Sequence, residues 1–158
     1  MTGLDGLLAA IEASGPAQYL RFSRFPYAAV NGVHVFAISL LVGSTVPLGL
    51  RLIGLWKDIP ASVFQRVLSP VAACGLALAI ASGLLLFSVR ASEYAALGVF
   101  QLKLTLIAAG FSSAAIATLF NVFRAGASRS SRMLHGAISI MAWTGALACG
   151  RLIAFVGN

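Results

Sequence analysis

Four ionisable side chains interrupt long apolar stretches of this sequence: His34, Lys103, His135 and Arg151, with Arg51 near the end of the first stretch. Such groups are costly in hydrocarbon, so inside a membrane they mark ligand sites, relays or counter-ions. An imidazole can ligate haem iron or bond a quinone oxygen, and a lysine or arginine can pair with haem propionates or a small anion. His34 and Lys103 each lie about two helical turns inside their stretches, and Arg151 lies about two turns before its own stretch ends on the same side. That shared depth predicts a binding layer of His34, Lys103 and Arg151, joined by Asn31 one turn from His34. His34 is its candidate metal ligand.

Spacing limits the chemistry further. Asn31, His34, Ile38, Leu41 and Thr45 share one helical face, a polar stripe that points into a bundle. On the last stretch Thr144, Ala148 and Arg151 share one face, and His135, Ser139, Ala142, Ala146 and Cys149 share another about 160° away. Arg151 and His135 therefore serve different pockets. His34 and His135 also differ in depth by roughly 20 Å, which argues against one haem held between the only two histidines. A haem at the His34 layer would need another second ligand, a five-coordinate iron or a copy of His34 from another subunit. Plainer roles exist for the same residues: a packing hydrogen bond for His34, snorkelling to headgroups for Lys103 and Arg151, and a place at a helix start for His135.

What the sequence lacks is also informative. It carries no P-loop, no dinucleotide turn, no Ser-His-Asp set and no paired carboxylates, so no catalytic residues are assigned. Asp5, Glu12, Asp58 and Glu93 all fall outside the apolar stretches, which disfavours a carboxylate relay across a bilayer. Soft metal ligands are sparse, with only Met141, His34, Cys74 and Cys149 lying deep.

The elements that must position these side chains follow from composition. Of 158 residues, 59% are hydrophobic and 9% charged, and the mean hydropathy is +0.95. A soluble domain carries about 25% charged residues, so this chain is an integral membrane protein. Apolar runs at about 27–55, 63–89, 97–123 and 133–156 each exceed the roughly 20 residues that cross a bilayer. Short separators make neighbours antiparallel, and the predicted fold is an all-α, up-down-up-down four-helix membrane bundle in a single domain over 1–158. Residues 1–26 read as an amphipathic helix in the interface plane, with Leu4, Leu7, Leu8 and Ile11 opposite Asp5 and Glu12, then a short linker helix through Arg21 and Arg24. Pro26 suits the first turn of the first span. Gly75, Ala79 and Gly83, and Ala109, Ser113 and Ala117, form small-residue ridges for close packing, while Pro47 and Pro70 are expected to bend their helices.

The net charge of +7 is read as topology rather than nucleic-acid binding. Arg51, Lys57, Arg66, Arg124, Arg129 and Arg132 flank the loops after the first and third spans, against Arg21, Arg24, Arg90 and Arg151 on the other side. This places those loops in the cytoplasm and both termini in the periplasm of a bacterial inner membrane.

Several local motifs occur in order: Arg21-x-Ser23, Pro26, His34-Val35, Leu50-Arg51-Leu52-x-Gly54, Ser82-Gly83-x-Leu85-Leu86-Phe87, Phe100-x-Leu102-Lys103 and Gly150-Arg151-Leu152-Ile153-Ala154. Together they resemble a small bacterial four-helix membrane family catalogued as a domain of unknown function, over nearly the whole chain. In broad layout the chain is also similar to the membrane domain of copper-resistance D-type proteins. Many members of the first family carry a histidine after a phenylalanine near the end of the third span, whereas here Phe120 precedes Asn121. The resemblance therefore supplies no inner ligand. It draws attention to His34, Arg51, Lys103 and Arg151 and implies no established activity.

The expectation is a small subunit of a redox chain, carrying electrons or anchoring a periplasmic partner, with a b-type haem or quinone in the outer leaflet near His34, Lys103 and Arg151. It is expected to be an electron-transfer or non-catalytic subunit rather than a stand-alone enzyme. Lipid surrounds it, and it works as a homo-oligomer or with a partner subunit, since four spans leave no sizeable domain outside the membrane. The alternatives are copper or small-anion handling, and a cofactor-free anchor or assembly subunit.

Overall fold

The computed structural model describes residues 3–124 and 126–156. It is all helical: α1 (Gly3–Glu12), α2 (Gly15–Phe22), α3 (Arg24–Ile53), α4 (Ala61–Val89), α5 (Ala91–Ala96), α6 (Gly98–Leu119) and α7 (Arg129–Val156). Helices α3, α4, α6 and α7 are each long and apolar enough to cross a membrane, and a helix meets its own backbone hydrogen-bonding demand there. The surface is correspondingly inverted: Phe36, Leu84, Leu104, Phe111 and Met141 are all exposed. The buried set at the helix contacts is rich in small residues such as Ala37, Ser44, Gly75, Gly110 and Ala146.

The four long helices follow the order α4, α3, α7, α6 in space. Helix α3 packs against α4 and α7, and α6 packs against α7. Among the described residues no α-carbon of α4 comes within 8 Å of one in α6, so the two outer helices face each other across a cleft. Glycines set the close approaches. Gly75 meets the main chain of α3 at Ala37 and Leu41, and Gly49 meets Gly136 where α3 crosses α7. On the α6/α7 contact, Lys103 lies by Gly150, and Trp143 lies by Gly110 seven residues further along both helices. The repeat gives layers about 10 Å apart.

Helix ends differ from the sequence reading in ways the local chemistry explains. Helix α3 begins at Arg24 and has Pro26 in its first turn, so the linker helix α2 stops at Phe22. Helix α6 ends at Leu119 because Asn121 adopts a φ of 54°, and the chain folds back to bury Val122 and Phe123 against Leu52, Ala61 and Ala117. Helix α7 starts at Arg129, four residues earlier than the hydropathy suggests, where the Ser128 hydroxyl accepts the Ser131 N–H at 3.1 Å. Pro47 and Pro70 interrupt neither α3 nor α4.

The segment expected as a loop from Arg90 to Ala96 contains α5, which joins α1 and α2 in a cap over one end of the bundle. We call this the cap end and the opposite one the loop end. A Glu12 carboxylate oxygen accepts the Ser92 N–H at 2.7 Å, and the Gln18 amide donates to the Glu12 carbonyl at 2.7 Å. The Ser92 N–H holds the Glu12 carboxyl below its ordinary range; partial burial opposes this, and the Ser92 hydroxyl and Arg21 assist. A depressed carboxylate pKa stabilises the folded cap above the ordinary range, and that stability is lost as pH falls through the lowered value. The protection of α1 amides against hydrogen exchange, corrected for the intrinsic pH dependence of exchange, should therefore fall on acidification through that window. Glu12→Gln should raise exchange at neutral pH and flatten the pH dependence.

Candidate functional site

The cleft between α4 and α6 holds two cavities end to end. The cap-side cavity, about 350 Å³, is walled by all four long helices and includes His34, Lys103, Phe87, Phe100 and Trp143. The loop-side cavity, about 460 Å³, includes Thr45, Ser113, Thr118, His135 and Ser139. Leu41, Leu76 and Trp143 line both and form the waist between them. At the cap end Phe87 of α4 stacks on Phe100 of α6 at 5.3 Å between ring centroids, and Tyr94 of α5 stacks on Phe100 at 6.3 Å. These rings bridge α4 and α6 where their backbones do not meet.

His34 is half-buried, and its Nδ1 lies 2.9 Å from the Ser82 hydroxyl. Ser82 has one hydroxyl proton, and its 2.5 Å contact with the Leu78 carbonyl engages that proton. The ring therefore donates from Nδ1, which leaves the lone pair of the neutral imidazole on Nε2. Gly83 makes the placement possible, because a Cβ there would stand 3.0 Å from His34 Cε1. The Ser82-Gly83 pair thus fixes both the tautomer and the position of the ring.

Lys103 reaches from α6 toward α7, with Nζ 3.5 Å from where a Gly150 Cβ would stand. It has no hydrogen-bond or ion-pair partner among the described residues. The cap-side cavity thus combines an unneutralised ammonium donor, an imidazole acceptor and apolar walls. Its layer lies ten residues into α3, about 15 Å below the helix start.

Two of the predicted binding residues lie outside this cavity. Arg151 has the expected depth but an exposed face of α7, its guanidinium 5.0 Å over the Phe155 ring. The cavity face of α7 carries Trp143, Ala146 and Leu147, and position 151 is rotated about 100° from Gly150, which Lys103 touches. Asn31 is exposed one turn above His34 and lines neither cavity. Arg51 holds the α3–α4 loop, donating through Nε to the Ile59 carbonyl at 2.5 Å and through Nη2 to that of Lys57 at 3.4 Å.

His135 was expected as an interfacial residue at a helix start, yet it lines the loop-side cavity with Nδ1 2.9 Å from the Ser113 hydroxyl. The membership of His135 and Ser139 in one helical face is the signal that pointed there. Sequence reasoning missed the aromatic bridge of Phe87, Tyr94 and Phe100 altogether. Cys74 is exposed, Cys149 is buried away from either cavity lining, and Met141 faces outward. Among the described residues no three His, Cys, Asp or Glu side chains come together.

Set against known proteins, the chain matches no family model, and no curated protein or solved structure is significantly similar to it.

Proposed function

We propose that this protein is a quinone-binding subunit of a bacterial membrane redox chain, with the ring of the quinone held in the cap-side cavity between His34 and Lys103. One observation carries the reading: an apolar cavity, open sideways between two helices, contains a partnerless ammonium and an imidazole with a free Nε2. A quinone carbonyl accepts a hydrogen bond from Lys103, which favours the extra electron density of reduced forms. On the other edge of the ring a quinol hydroxyl donates to His34 Nε2. When a partner redox centre oxidises the quinol, that nitrogen is positioned to take the released proton. The depth of the layer favours an uncharged, oxygen-bearing ring over a phosphate headgroup, which loses its hydration there.

The same reading puts the loop end, rich in Arg51, Lys57, Arg66, Arg124, Arg129 and Arg132, in the cytoplasm. The cap and both termini then face the periplasm, where a partner subunit docks. A second reading is a b-type haem, favoured by the Ser82 contact, since a histidine ligand ordinarily donates its other ring N–H to a fixed acceptor. His34 is the only imidazole lining that cavity, so this chain alone supplies one axial ligand.

Protein purified in mild detergent from its own membranes should yield quinone on solvent extraction, and His34→Ala or Lys103→Met should deplete it. A Soret band lost in His34→Ala would replace the first reading by the second. A colourless preparation without extractable quinone would refute both.

A further inference from the structure

The two cavities differ in the charged groups that line them. In the loop-side cavity the Thr45 hydroxyl already donates to the Leu41 carbonyl at 2.8 Å, Thr118 to that of Ala114 at 2.9 Å, and Ser113 is paired with His135. In this cavity the Ser69 and Ser139 hydroxyls have no partner among the described residues, His135 keeps its second ring nitrogen open, and the buried indole N–H of Trp143 at the waist is unpartnered. The cap-side cavity has the open ammonium of Lys103 and Nε2 of His34. Along the cleft, then, the cap side carries the charged donor Lys103, whereas the loop side has no lysine, arginine or carboxylate among its lining residues and is walled mainly by Ala, Leu and Phe.

The cavities also form one path. They meet at Leu41, Leu76 and Trp143, and the path along α4 from Phe87 to Ser69 covers eighteen residues, about 27 Å. A ligand matching this profile is an amphiphile with one oxygen-bearing head and a long hydrocarbon chain. Resting on the quinone reading, we infer that the loop-side cavity holds the polyprenyl chain of the same molecule, threaded past the waist, so the protein selects long-chain quinones. A free lipid chain competes poorly for that space, because the quinone's chain is tethered to a head already bound and arrives at high effective concentration. Burial from water contributes little, since the alternative environment is lipid, so selectivity comes from packing in the groove.

Trp143 lies at the waist, and the chain's other tryptophan, Trp56, is exposed at the loop end. In a Trp56→Phe background, quenching of Trp143 fluorescence by quinone reports binding. A benzoquinone with one prenyl unit and one with a long polyprenyl chain are titrated into lipid nanodiscs, at matched concentrations within the bilayer. The long chain should bind roughly tenfold tighter. Ala72→Phe and Ala114→Phe, which fill the loop-side cavity from α4 and from α6, should each abolish that advantage and leave the short-chain affinity unchanged. Two variants on different helices guard against misfolding of either, and an unchanged short-chain affinity verifies the fold.

Equal affinity for both chains, unaffected by the fillings, would overturn the inference and leave the head site standing. Loss of the chain advantage on adding phosphatidylglycerol, with the short-chain quinone still bound, would overturn it in favour of a lipid acyl chain. Absence of quenching by either quinone would remove the head site itself.

Discussion

Gly75→Ala is expected to destabilise the protein by about 3 kcal/mol, the upper end of the usual range for overpacking. The added Cβ would stand 2.7 Å from the Leu41 backbone nitrogen and 2.9 Å from the Ala37 carbonyl oxygen, both on α3. A flexible side chain could rotate away from such a contact, but a helix backbone cannot. Relief requires α3 and α4 to part along the contact that also holds Ser82 against His34. The same substitution at Gly32 or Gly43 meets nothing within 4 Å. Those variants should be neutral or up to about 1 kcal/mol more stable, because alanine favours a helix over glycine. Thermal unfolding in one detergent, compared across the three variants, checks the prediction. An unchanged midpoint for Gly75→Ala would mean that the two helices do not approach as closely as the structure has them.

Lys103→Met should move stability and binding in opposite directions. A lysine within a span costs up to about 2.5–3.5 kcal/mol at the bilayer centre, and less at the depth of Lys103. Methionine has a similar stem and no charge to desolvate, so the ligand-free variant should be roughly 1–2 kcal/mol more stable. Hydrogen bonds from a charged donor contribute about 1.5–3 kcal/mol, so quinone affinity should fall by roughly ten- to a hundredfold. Arg151→Met provides the comparison. Its guanidinium lies over Phe155 outside the cavity, so affinity should be unchanged. A parallel fall in stability and affinity for Lys103→Met would assign the lysine a packing role. Equal losses in both variants would restore Arg151 to the site.

Depth was legible in this sequence and facing was not. Counting residues from the ends of the apolar runs put His34, Lys103 and Arg151 near one level, because the rise of a helix is fixed at 1.5 Å per residue. Which side of α7 faces the cleft depends on where Gly49, Gly136 and Gly110 let neighbouring helices approach, and those contacts are tertiary. Hence Arg151, one position past Gly150, falls outside. The stripe from His34 through Ile38 and Leu41 to Thr45 was readable because polar residues at helical spacing in an apolar run have few other places to go, and all four line the cleft. Asn31 continues that stripe but lies beyond the cavity. Helix α5 escaped notice because six residues between two spans carry no periodicity to read. The histidine tautomer depends on a serine forty-eight residues away, a relation no local pattern contains.

On the quinone reading, the separation of α4 from α6 also determines which phase supplies the ligand. A cleft closed by stacked rings at the cap and open along its flank exchanges its occupant with the surrounding leaflet, by lateral diffusion in two dimensions. Occupancy then follows the mole fraction of quinone in that leaflet, and the volume of the aqueous compartment drops out. Adding detergent micelles dilutes the ligand as surely as adding buffer dilutes a soluble one. Apparent affinity should therefore weaken in proportion to micelle content at constant total quinone, and recover when the same protein is returned to a small volume of lipid.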